Sequence, residues 1–73
     1  MKHVHLKDGT EYITLGQFLK HVGLIQTGGE AKHFLNETPV QVNDQDEARR
    51  GRKLRAGDKI VVNAQDTFYI EEL

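Results

Sequence analysis

At 73 residues the chain has room for one domain, residues 1–73, with a thin core. A domain of this size buries only about 60% of the surface its unfolded chain exposes, which leaves little space for a deep pocket. There is no cysteine, so disulfides, thiolate metal sites and a cysteine nucleophile are excluded together, and a formal net charge of −1 excludes general attraction to polyanions.

Met1-Lys2-His3-Val4-His5 lacks the apolar stretch of a signal peptide, and no run of about 18 apolar residues is present. A soluble, cytoplasmic protein with no membrane partner is the expectation. The first element reads as a hairpin. Val4 and Leu6 alternate with polar residues, Asp8-Gly9 is a two-residue turn signal, and Tyr12 and Ile13 return. A type I′ turn there would set Leu6 opposite Glu11 and Val4 opposite Ile13.

Thr14-Leu15-Gly16-Gln17 is a capping box, with Ile13 and Phe18 at the two positions of a hydrophobic staple. Leu15, Phe18, Leu19 and Val22 follow the spacing of one buried helical stripe. Gly23 supplies a left-handed residue to end the helix, with Leu24 folding back onto Leu19. Thr27-Gly28-Gly29-Glu30 reads as a second capping box. It opens a helix with Ala31, Phe34 and Leu35 on its apolar side and Lys32, His33 and Asn36 elsewhere. Pro39 ends that helix near Glu37.

The remainder reads as strands. Val40 and Val42 alternate before an Asn43-Asp44 turn, Ile60-Val61-Val62 follows a Gly-Asp turn, and Phe68-Tyr69-Ile70 forms a last strand paired with the N-terminal hairpin. The fold class is α+β, with two short packed helices against a small, mostly antiparallel sheet.

Arg49-Arg50-Gly51-Arg52-Lys53-Leu54-Arg55 holds five cations in seven residues with no acid among them. On a near-neutral chain such a cluster marks a polyanion-binding face. Gly51 and Leu54 interrupt it and a strand follows, which argues for cations held on a folded surface and against a flexible tail.

In this order the chain resembles the S4 domain family of RNA-binding modules, and in particular its stand-alone bacterial members of the YaaA type. The likeness is carried by Ile13-Thr14-Leu15-Gly16-Gln17-Phe18-Leu19-Lys20, Gly28-Gly29-Glu30-Ala31-Lys32, Val40-Gln41-Val42-Asn43, and the run from Arg49 to Asp58. These segments span residues 13–62. Two positions depart from the pattern: Asp44 stands where the family usually has glycine, and Thr38-Pro39 where it tends to have glycine near the helix exit. The resemblance implies an RNA-binding face made by the two helices and the hairpin after them. It implies no catalysis, no cofactor and no small-molecule substrate, with structured ribosomal or transfer RNA, or ribosomal particles, as partner.

The chemistry of the residues agrees. Arg49, Arg50, Arg52, Lys53 and Arg55 are the strongest candidates, because the planar guanidinium suits bidentate phosphate recognition and stacks on unpaired bases. Asp46 and Glu47 are placed to neutralise Arg49, and Asp58 to pair with Arg55. Five neutralised phosphates would give a log–log salt slope of roughly −3.5 to −4.5. Thr27, Gly28 and Gly29 offer a helix start to a phosphate, set against an ordinary glycine turn. Lys32 is a phosphate candidate and His33 a stacking or donor candidate. Lys20 either contacts RNA or serves the end of its own helix. Phe18 and Phe34 read as core, and Tyr12, Phe68 and Tyr69 as strand residues, so a broad stacking platform is not expected.

Other classes fit less well. The carboxylates are scattered, with no pair on a common buried face for hydrolysis. His3 and His5 share one strand face, but two ligands make a weak metal site. The alternative function is a protein adaptor that applies the same basic face to an acidic partner.

Overall fold

The computed structural model describes residues 2–7 and 9–72. Along the chain it runs β1 (Lys2–His5), β2 (Ile13–Thr14), α1 (Leu15–His21), α2 (Glu30–Glu37), β3 (Val40–Val42), β4 (Gln45–Asp46), β5 (Lys53–Leu54), β6 (Lys59–Val62) and β7 (Asp66–Glu71). Five strands form a sheet in the order β1-β7-β6-β3-β4, and β2 pairs with β5 in a separate two-stranded ribbon. All pairings are antiparallel except β1 with β7. The α+β expectation therefore holds, and residue alternation explains it. Val40 and Val42, Ile60 and Val62, and Phe68 and Ile70 all turn one sheet face inward and are buried. Against that face α1 lays Leu15, Phe18 and Leu19, with Phe18 meeting Phe68 edge-on at 5.1 Å between centroids. From α2 come Ala31 and Leu35, with Phe34 packed at the margin.

Helix α1 is built as its sequence demands. Thr14 Oγ1 accepts the Gln17 amide at 3.2 Å, and the Gln17 side chain accepts the Thr14 amide at 2.9 Å. At the other end Gly23 has φ +84°, its amide reaches Lys20 O at 3.1 Å, and the Leu24 amide reaches Leu19 O at 3.0 Å. That is a complete Schellman closure. The backbone folds back as expected, but the Leu24 side chain stays exposed and Ile25 is buried in its place.

Two expectations fail. The N-terminal hairpin does not form: β1 lies parallel to β7, Val4 opposite Ile70 and His5 opposite Glu71, and Ile13 pairs with Leu54. Part of the proposed turn, Asp8, lies outside the described residues. A four-residue ladder with β7, extended by the Leu6 amide to Glu71 O, buries both Val4 and Leu6. The expected return strand pairs with β5 instead, Ile13 opposite Leu54 and Thr14 opposite Lys53. The second capping box is also only half made. Glu30 Oε1 takes the Thr27 amide at 3.1 Å, but the Thr27 hydroxyl donates to the same carboxylate and no backbone amide reaches it. The chain turns once at Gly28-Gly29 first, so Gly29, with an ordinary helical φ of −67°, becomes the cap residue.

The hairpins use left-handed residues. Asn43 and Asp44 have φ 52° and 70° in the two-residue turn between β3 and β4, and Asn63 and Ala64 have φ 55° and 56° between β6 and β7. At Asp44 an ion pair to Lys59 Nζ at 2.7 Å offsets part of the strain. Ala64 has only a methyl group there. Ala64→Gly is expected to stabilise the fold by about 1 kcal/mol, the left-handed penalty less the added entropy of the unfolded chain. A melting curve checks it: a lower Tm for the variant would contradict the assigned backbone.

Candidate nucleic-acid interface

A helix begins with amides that no turn of its own can satisfy. At α1 all four are used. Beyond the two bonds of the capping box, the Leu15 amide donates to Arg52 O and the Gly16 amide to Arg50 O, both at 2.8 Å. The basic segment is thus pinned by its own carbonyls to the positive end of α1. The approach at Gly16 is close: a Cβ there would be in ordinary van der Waals contact with Arg50 Cβ and O at 3.4 Å and Ala31 Cβ at 3.5 Å. A larger side chain would have to push the segment away.

Glu47 ties the segment down from the other side. Its amide donates to Val40 O at 2.9 Å, and its side chain is 7% exposed. The carboxylate accepts the Arg49 Nε and Nη2 groups at 3.0 and 3.1 Å, Arg52 Nη1 at 3.1 Å, and the backbone amides of Ala48 and Arg49 at 3.2 Å. The Arg49 side-chain hydrogen bonds, helped by the Arg49 amide and by Arg52, pull the carboxyl pKa down to about 2 from 4.5, against the opposing effect of burial. Of the two acids expected to neutralise Arg49, it is Glu47 that does so. Asp46 instead accepts Gln41 Nε2 at 3.4 Å.

The expected pairing of Arg55 with Asp58 is corrected. Asp58 spends its carboxylate on the Arg55 backbone amide at 2.8 Å and on Asn43 Nδ2 at 2.9 Å, while the Arg55 guanidinium lies 5.7 Å from the Tyr12 ring centroid. Asn43 Oδ1 in turn accepts the Lys59 amide at 2.9 Å. This lattice joins the β3–β4 hairpin to the loop before β6 and holds the far end of the basic run in place.

Arg49, Arg52, Lys53 and Arg55 line one open depression together with Gly51 and Asp58. Arg50 is exposed beside it, above Gly16. Lys32 and His33 are exposed on α2, whose Ala31 packs close to Gly16, and His33 Nε2 is 3.4 Å from Glu37 Oε1. At Thr27-Gly28-Gly29 the chain's own carbonyls accept the Glu30 and Ala31 amides, and the Glu30 carboxylate adds negative charge. That site is poorly suited to an anion. Lys20 lies outside the depression, in a second groove with Gln17, His21 and Tyr12. His3 and His5 both meet the carboxylate of Glu71 across the β1–β7 ladder.

Tyr12 was expected on a strand with no part in the site, and the structure corrects this. It precedes β2, is 37% exposed, and has Lys53 Nζ 4.9 Å from its ring centroid as well as Arg55. Only the β2–β5 register, which sequence periodicity does not supply, brings it to the basic run.

Glu47→Gln tests the clamp. The folded pKa of Glu47 lies below the unfolded one, so its contribution is present above pH 4.5 and disappears as pH falls towards 2. Urea unfolding across that range should show the parent losing about 3 kcal/mol more than the variant, with the variant weaker by a similar amount at pH 7. Superimposable pH profiles would contradict the clamp.

Among curated proteins, the chain is similar to "Probable ribosome maturation protein RlbA" of Bacillus subtilis (strain 168), with 52% identity over 61 residues, covering 84% of this chain and 86% of that protein. No solved structure matches it. A family model described as the S4 domain matches residues 4–71, nearly the whole chain, and the protein belongs to the S4 domain family.

Proposed function

We propose that this protein is a non-catalytic RNA-binding module that recognises structured RNA by shape and phosphate contact, with ribosomal RNA or a ribosomal particle as its target. One observation carries the reading: a chain of net charge −1 gathers Arg49, Arg52, Lys53 and Arg55 around one depression, on a backbone held by α1 and Glu47. Cations on a fixed backbone lose less freedom on binding than cations on a loose loop. Membership of the S4 family supports RNA as the ligand, and the Bacillus relative, a probable ribosome maturation protein, supports the ribosome as the setting. Arg50 and Lys32 extend the face towards α2.

The geometry also refines the expected energetics. Glu47 lies within the cluster and offsets one of its five cations, so about four phosphates are neutralised. The log–log salt slope should then be roughly −2.8 to −3.6. Fluorescence polarisation against folded ribosomal RNA fragments, with matched duplex DNA as control, measures it. The variant to use is Arg50→Ala/Lys53→Ala/Arg55→Ala, which leaves both partners of Glu47 in place. It should bind at least about tenfold more weakly, with a shallower slope by about one per lost contact. Equal affinity of variant and parent, or no preference for RNA over DNA, would overturn the reading and turn attention to an acidic protein partner for the same face.

A further inference from the structure

Tyr12 is set on a rigid support. Ile13 pairs with Leu54 and Thr14 with Lys53, so one further step of the register brings Tyr12 opposite Arg55. Side chains alternate across the ribbon. Leu54 therefore goes fully into the core, and Tyr12, Lys53 and Arg55 share the outer face. The two cations lie 4.9 and 5.7 Å from the ring centroid. Tyr12 is partly exposed, and a cation over such a ring is a weak contact that a stacking base would displace at little cost.

We propose that Tyr12 is a stacking site for one unpaired nucleobase, with Lys53 and Arg55 taking the phosphates on its flanks. The proposal rests on the RNA-binding reading above and narrows it to RNA with a bulged or unpaired nucleotide. A base within a duplex has both faces covered by its neighbours, whereas an unpaired base offers a π-face to an aromatic ring whatever its identity. The placement suits a strand in transit. On one side Tyr12 adjoins the depression lined by Arg49, Arg52, Lys53 and Arg55, and on the other it borders the groove that contains Lys20 and His21. A nucleotide on Tyr12 would have cations within reach in both directions, which gives Lys20 a role outside the main basic face.

The test uses a labelled RNA duplex and the same duplex with a single-nucleotide bulge, titrated with the parent, Tyr12→Phe and Tyr12→Leu. The parent should prefer the bulged RNA by roughly ten- to a hundredfold. Tyr12→Phe should keep that preference. Tyr12→Leu, which retains apolar bulk but has no π-face, should bring the bulged RNA down to the affinity of the duplex and leave the salt slope unchanged. A thermal melt of each variant separates loss of stacking from loss of fold. Equal binding of both RNAs by the parent, or an undiminished preference in folded Tyr12→Leu, overturns the Tyr12 site and leaves the basic face standing. Failure of the parent to bind either RNA overturns both.

Discussion

The two hydrogen bonds from the Leu15 and Gly16 amides to the carbonyls of Arg52 and Arg50 determine what the basic run can be. Five cations in seven residues repel one another, and a free segment of that composition would be a solvated loop. The start of a helix offers orphan amides and the positive end of a dipole, which attract carbonyl oxygens and disfavour guanidinium groups. Carbonyls therefore turn inwards and side chains turn outwards. The helix gains satisfied amides and the loop gains a fixed backbone, and neither end could be changed without exposing the other.

The second constraint is electrostatic. Glu47 is the one acid buried within the basic cluster, and it orders Arg49 and Arg52 at the cost of one unit of positive potential. In the proposed anion-binding surface this acid weakens long-range attraction, but it leaves Arg49 and Arg52 oriented before any ligand arrives. The motif residues Asn43 and Asp58 have a similar supporting part. They bond backbone and each other across the junction of β3 and β6, and they hold the surface without forming it.

What was legible in the sequence was local. The capping box of α1, its glycine closure, the end of α2 before Pro39 and the inward alternation of β3, β6 and β7 all depend on residues a few positions apart. What was not legible depends on partners far along the chain. Periodicity says which face of Val4 and Leu6 is buried, but it does not say that β7 will cover them in parallel. The same gap concealed Tyr12, whose neighbours Lys53 and Arg55 lie about forty residues away and arrive only through the pairing of Ile13 with Leu54. The second cap failed for a different reason: the chain turns once at Gly28-Gly29 before α2 begins, and a Thr-x-x-Glu pattern does not show where the cap falls.

Amide hydrogen exchange followed by NMR tests the central claim most directly, because it reads the Leu15 and Gly16 amides one by one. If the basic segment is tied to the start of α1, both amides should be protected to nearly the level of the core amides in β6 and β7, since they can open only when the segment detaches from the helix. Exchange of Leu15 and Gly16 at close to the free-peptide rate, with β6 and β7 still protected, would show a loose basic loop and would contradict the account.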